Sequence, residues 1–423
     1  MSTHSVSSLD VVLVEEAKVP GDPSVVTVNC PDKAGLGCDL CRIILEFGLR
    51  ISQADFSTDG RWCYMVFWVV PYSVTHTIRW ESLKNRLFYA SPSCLGSLCF
   101  DQRHSDPSPN VLYLLKFCCL DRKGLLHEVT KVITELEFTI EKVKVMSTPD
   151  GRVVDLFFIT DGMGLLHSKE RRDDTCSCLI NLFSKYCISC ELQLAGPEYE
   201  SLQAFSSLPP AVAEELFSCG QLEKESGKNT LEKDKTTLSK VSITVDNLLS
   251  QAHTLLQIQC VDQKGLFYDI LRISKDFNIR IAYGRFASSV KGSRNMDLFI
   301  QLNDGRKVLD TRFQLHLCSR LEEEMLNPLR VIIANRGPDT ELLVANPVEL
   351  CGKGRPRVFY DVTLALKKLR ICVLLAEIGR HSTHNREWEV YRFLLDENCE
   401  FSLDCNQARN QILDKVKRTL MGW

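Results

Sequence analysis

Residues 261–281, VDQKGLFYDILRISKDFNIRI, contain two periodicities in sequence, and the chain carries four versions of them. Laid without gaps on Leu36, Leu125, Leu266 and Val358, the same positions are apolar each time. Four residues on stand Leu40, Val129, Ile270 and Val362, then Ile43, Val132, Ile273 and Ala365, then Phe47, Leu136, Phe277 and Leu369. This i, i+4, i+7, i+11 spacing predicts one face of a helix. The period then drops to two at Leu49 and Ile51, Phe138 and Ile140, Ile279 and Ile281, and Ile371 and Val373, which predicts a strand. Helix and strand together recur as an internal repeat.

Just before the helix, three copies share one turn: Asp32-Lys33-Ala34-Gly35, Asp121-Arg122-Lys123-Gly124 and Asp262-Gln263-Lys264-Gly265. The fourth, Gly354-Arg355-Pro356-Arg357, has lost both the Asp and the Gly. An Asp ahead of a helix can cap it by accepting a backbone N–H, and a Gly lets the backbone approach another group closely. A helix N-terminus left open in this way suits an anion, a carboxylate included. The structural alternative is that the Asp only caps and the Gly only permits the turn. Every copy also has an acid three residues into its helix, Asp39, Glu128, Asp269 and Asp361, as the helix dipole favours.

Around this core the pattern continues as strand, helix, strand, strand, helix, strand. In the first copy Val25 to Asn29 opens, Asp59-Gly60 marks a hairpin, Trp62 to Val70 follows, and a helix near Ile78 to Tyr89 leads to a strand at Ser97 to Phe100. The second copy repeats this, with Asp150-Gly151 as its hairpin and Cys190 to Leu194 as its last strand. Between Gly220 and Lys240, nine of the 21 residues are charged and none is aromatic, the composition of a solvated linker. The fourth copy has a longer hairpin connection, His381 to Arg386, and no strand after its final helix, Asn406 to Leu420. The boundaries expected are a tail over 1–20, modules over 21–105 and 110–197, a linker with a short helix over 198–250, and modules over 251–336 and 338–423.

Each unit closes most simply as an α+β, ferredoxin-like βαββαβ fold, a four-stranded antiparallel sheet with both helices on one face. Such sheets leave open edges that invite pairing. The linker suggests that modules 1 and 2 pair, and modules 3 and 4.

The 423 residues, 44% hydrophobic and 25% charged with a net charge of -3, fit several globular domains and offer no electrostatic case for nucleic acid or a membrane surface. The strands also lack the basic-aromatic pattern of RNA-binding sheets. The first twenty residues, with Asp10, Glu15 and Glu16 and a single Lys, fit neither a secretory signal nor a transit peptide, so the expected compartment is cytosolic or nuclear. The 19 cysteines then read as reduced thiols. Cys176, Cys178, Cys187 and Cys190 lack the spacing of a zinc ribbon. No phosphate loop, zinc-protease motif or nucleophile elbow is present, and His381 and His384 read as loop residues. No catalytic residue, metal or cofactor is expected.

The Asp-x-x-Gly turn between first strand and first helix, set in this topology, resembles the ACT domain. Four tandem copies without a catalytic domain resemble the plant ACT-domain-repeat proteins, the ACR family. That resemblance implies a non-catalytic regulatory protein that binds a free amino acid at these turns, between paired domains. Similar copies end bacterial uridylyltransferases that sense glutamine, which points to a glutamine-like ligand. The positions carried over are Asp32, Gly35 and Leu36; Asp121, Gly124 and Leu125; and Asp262, Gly265 and Leu266. Gly354 and Arg357 leave the fourth turn outside that set. The partners implied are the amino acid, a downstream protein and a second copy joined through sheet edges. The alternative is an interaction scaffold whose turns hold no ligand.

Overall fold

The structure is a computed structural model that describes residues 11–73, 77–92, 111–196, 208–225, 241–288, 292–337, 339–349, 352–384, 386–396 and 405–422. The repeat periods form elements where they predict them. In chain order they are β1 (Val12–Glu15), β2 (Ser24–Pro31), α1 (Leu36–Glu46), β3 (Leu49–Thr58), β4 (Trp62–Pro71) and α2 (Trp80–Ala90). Next come β5 (Tyr113–Leu120), α3 (Leu125–Glu135), β6 (Phe138–Ser147), β7 (Arg152–Asp161), α4 (Lys169–Leu182), β8 (Cys187–Leu194) and α5 (Pro210–Glu225). The second half contains β9 (Ser242–Asp246), β10 (Thr254–Val261), α6 (Leu266–Asp276), β11 (Ile279–Ser288), β12 (Ser293–Leu302) and α7 (Thr311–Leu326). It ends with β13 (Arg330–Arg336), β14 (Asp339–Pro347), α8 (Val358–Lys368), β15 (Val373–Thr383), β16 (Arg386–Leu395) and α9 (Asn406–Met421). The strand expected at Ser97 to Phe100 lies outside the described residues.

Two eight-stranded antiparallel sheets result, ordered β1-β2-β4-β3-β11-β12-β10-β9 and β13-β14-β16-β15-β6-β7-β5-β8. The chain divides into two units along the same lines, one built on residues 1–103 and 228–328, the other on 104–227 and 329–423. Module 1 therefore pairs with module 3 and module 2 with module 4, which overturns the pairing of sequence neighbours. The inner edges join directly: Asp55 faces Arg285 across β3 and β11, and Val145 faces Ala376 across β6 and β15. Each join removes two open edges.

Among the described residues, only module 2 draws its outer strand, β8, from the end of its own repeat. In the other three the outer strand precedes the repeat: β1 pairs with β2, β9 with β10 and β13 with β14. The strand missing after the last helix of module 4 is thus β13, which the sequence reading placed in module 3. The antiparallel ladder is the same either way, because an outer strand can enter from either end of the repeat. Likewise β1 lies in the expected tail, and β9 and α5 in the expected linker.

Each unit has one core running through both modules. In the first it joins Leu36, Leu40 and Phe67 to Leu266, Ile270 and Phe286, and in the second Val129 and Phe157 to Val362 and Phe393. Module 4 departs from the expectation of helices on one face only. Leu208, just before α5, and Leu216, within it, pack on its other face against Ile332, Leu343, Trp388 and Val390. Double coverage accounts for β14, whose residues 340–347 are all buried. His381 is also not a loop residue, since it pairs with Trp388 within the β15–β16 ladder and stacks on Phe217 at 4.9 Å.

Inner-edge pairing sets helices side by side. Arg42 of α1 donates to the Tyr268 hydroxyl of α6 at 2.6 Å, and His127 Nδ1 of α3 lies 3.2 Å from Thr363 Oγ1 of α8. Lys275 at the end of α6 sits 3.1 Å from Asp39, and Lys367 at the end of α8 sits 2.9 Å from Glu128. Carbodiimide coupling followed by peptide mapping should link Lys275 to Asp39 and Lys367 to Glu128. Couplings from module 1 to module 2 in place of these would contradict the pairing.

Candidate functional site

At the three Asp-x-x-Gly turns, Gly35, Gly124 and Gly265 take left-handed conformations with φ of 79°, 81° and 75° and begin the helices without a side-chain cap. The capping role expected of the Asp is therefore not what the structure shows. Backbone bonds close the turns: the Asp N–H donates to Arg61, Gly151 or Gly292 at 2.8 to 3.0 Å, and the N–H of Leu36, Leu125 or Leu266 to Lys33, Arg122 or Gln263. Side-chain caps occur at other helices, by Ser168 on α4 and Asp310 on α7.

The carboxylates instead face the partner module. Asp32 accepts from the Thr58 hydroxyl at 2.7 Å and lies 3.3 Å from Arg280 of module 3. Reciprocally, Asp262 lies 3.6 Å from Arg50 of module 1 and 2.7 Å from the buried Arg294. Arg50 and Arg280 hold the same repeat position, so the first unit locks itself with two matched ion pairs. Gly35 is covered as well, because a Cβ there would lie 2.7 Å from Lys275 Cε. The opening beside Gly35 is thus filled by its partner module. Gly265 and Leu266 line a narrow crevice with Arg50 and Tyr72.

Module 2 differs. The repeat position of Arg50 and Arg280 is Cys372, just before β15 and lining the same cleft as Asp121, and no ion pair to Asp121 occurs among the described residues. Asp121, Gly124 and Leu125 line a small cleft. Arg122, Leu366, Lys367 and Cys372 contribute to its walls, so both modules form it. Lys367 runs over Gly124, its Cγ 2.9 Å from where a Cβ would be, which leaves room at that position for glycine alone. Its ammonium, with Arg122, holds Glu128; burial works against ionisation there, yet these hydrogen bonds keep the Glu128 carboxyl below its usual range.

Asp155 of β7 also lines this cleft. It is fully buried, and neither carboxylate oxygen has a hydrogen-bond partner. Burial, reinforced by the charge of Asp121, pushes its pKa up to about 8. Asp121 is itself raised, by burial first and by Asp396 in addition, against the Arg122 N–H that favours its charge. His127, in the same walls, is held neutral by burial and by Lys367, which lower its pKa to about 4. The sequence reading did not select Asp155. Its signal is the inward alternation Val153, Asp155, Phe157, Ile159, in which an acid takes an apolar place that Met65 and Met296 fill in modules 1 and 3.

The fourth turn is rebuilt. Arg357 replaces the glycine at φ 64°, and Asn346 accepts from the Arg355 N–H and donates to its carbonyl, both at 3.0 Å. No group of three or more His, Cys, Asp or Glu suited to a metal occurs among the described residues. No helix there is long and apolar enough to cross a membrane.

The chain is 64% identical to the ACT domain-containing protein ACR9 of Arabidopsis thaliana, over 98% of each chain. It belongs to the ACR family of ACT-domain proteins. The ACT domain-containing protein ACR10 of the same plant is 51% identical, again over 98% of each. The ACR10 N-terminal family model matches residues 14–92, the ACT domain 113–176, the ACR9-like, ACT-like domain 242–339 and the ACR9 C-terminal model 340–422. An aspartate kinase from Synechocystis aligns with 95% of this chain and 56% of its own at 14% identity, with a TM-score of 0.16, too low to support an inference. Both relatives are named as ACT domain-containing proteins. The fold is that of tandem ferredoxin-like ACT domains.

Asp155→Asn removes a charge that the folded state holds without a partner, so it should stabilise the ACT pair by roughly 1–3 kcal/mol near pH 8. The pH dependence has a definite sign. Between the unfolded value near 4 and about 8 the folded protein holds the extra proton, so wild-type stability falls with rising pH, by up to about 1.4 kcal/mol per unit. His127 acts oppositely but only below its unfolded value near 6.5. Denaturant melts from pH 6.5 to 8 should therefore show the wild type losing stability relative to Asp155→Asn, and parallel curves would contradict the assignment.

Proposed function

We propose that the chain is a non-catalytic regulatory protein that binds a free amino acid at the Asp121–Leu125 turn, between modules 2 and 4. The observation supporting this is the contrast among the three turns. Partner-module arginines, Arg280 and Arg50, stand against Asp32 and Asp262, whereas Asp121 lines a cleft shared by two modules with no cation paired to it. A ligand there touches both modules and so favours their paired arrangement over any other, the condition for binding to alter the protein's state. Asp32, Gly35, Asp262 and Gly265 then serve as structural counterparts of the site. A downstream protein reads the change, in the cytosol or nucleus.

A second reading is an interaction scaffold, favoured by the aromatics Trp62, Tyr64 and Tyr283, which are about half exposed on the first sheet. Tyr64 and Tyr283 flank Ser57 in adjoining strands.

A thermal-shift screen of the standard free amino acids separates the two. A ligand at a hundred times its dissociation constant adds about 2.7 kcal/mol of stability. The wild-type midpoint should rise with at least one amino acid, and Asp121→Ala should lose that rise while Asp32→Ala keeps it. A flat wild-type response at millimolar concentration of every amino acid would favour the scaffold.

A further inference from the structure

We infer that Asp155, with Asp121, is the seat for the ligand's ammonium group, and that the cleft selects primary amines over the same molecules with the amine blocked. This deepens the proposed function and rests on its placing of the ligand at the Asp121 turn. Two independent observations converge on it.

One is the repeat itself. At the equivalent turns of the first unit a cationic nitrogen from the neighbouring module stands against the carboxylate, Arg280 against Asp32 and Arg50 against Asp262. At Asp121 the corresponding residue is Cys372, which brings no cation. The geometry thus repeats while the positive charge is missing. A ligand ammonium would supply it.

The other is Asp155. A carboxylate with no exposed surface and no partner for either oxygen is costly to bury, and substitution by the Met of modules 1 and 3 would remove that cost. Asp155 is among the residues that line the cleft, with both oxygens buried just behind its surface. An ammonium has three donors and no acceptor, which matches two acids lining one space. Arg122 and Lys367 stand in the walls of the same cleft, paired with Glu128, and are the cations there that a zwitterion's carboxylate could share.

The test is a thermal-shift and calorimetric panel on the full chain, with each standard L-amino acid beside its N-acetyl form, on wild type and Asp155→Asn. The expected result is that at least one amino acid stabilises the wild type and its N-acetyl form does not. Asp155→Asn should melt higher without ligand yet bind that amino acid about tenfold more weakly or worse, as loss of a charged hydrogen bond implies. If an N-acetyl form binds as well as its parent, or Asp155→Asn binds undiminished, the ammonium seat is wrong while the amino-acid reading survives. If no amino acid stabilises the wild type, that reading fails, and methylammonium becomes the probe. Stabilisation of wild type but not of Asp155→Asn would still support the seat, and a flat response in both would overturn it.

Discussion

Each module has a four-stranded sheet with an inner edge that cannot be left bare, and how those edges are joined determines everything else in the molecule. Strands β3, β6, β11 and β15 would each present a row of unpaired N–H and C=O groups to water. Joining β3 to β11 and β6 to β15 converts four edges into two continuous ladders. The helices, fixed to their sheets by the repeat's apolar positions, are carried along. Thus α1 meets α6 and α3 meets α8, and the turn that begins one helix faces the end of the other.

From this arrangement the two units depart in chemistry rather than in backbone. Arginine at one repeat position in modules 1 and 3 turns the pairing into a self-contained lock of opposite charges. In the second unit the same position holds Thr139 and Cys372, and the lock is absent. Meanwhile Asp155 takes a place occupied by methionine in modules 1 and 3, which adds a buried acid that holds its proton until about pH 8 unless a cation meets it. Copying a module and then changing single residues has given one pair the character of a scaffold and the other that of a candidate binding site. Among the described residues, β1, β9, β13 and β8 end the sheets.

Much of this is legible in the sequence because periods of 3.6 and 2 survive in all four copies, and the helices begin where the turns say. The Asp-x-x-Gly positions were also legible, though their capping role was not observed. The missed features share a physical cause: they depend on contacts between distant parts of the chain. The short strand Val12–Glu15 has too few residues to show alternation, and β13 sits against module 3 in sequence but pairs in module 4. The choice of partner is invisible to any local pattern, since every inner edge offers the same backbone. Arg50 and Arg280 could have served as a clue, because each stands between the two shared strand positions of its copy and gives a charge for the opposing Asp. Asp155 could also have been found, as an acid at the inward phase of an apolar strand is costly unless something meets it.

The most direct test of the central claim, that pairing of modules 2 and 4 leaves one turn awaiting a cation, is hydrogen exchange on the full chain with and without a saturating mixture of free amino acids. The account predicts slower exchange confined to residues 121–127 and 366–373, on the two sides of the cleft, with the turns at Asp32 and Asp262 unchanged. Equal protection at all three turns, or protection at Asp32 and Asp262 alone, would contradict it.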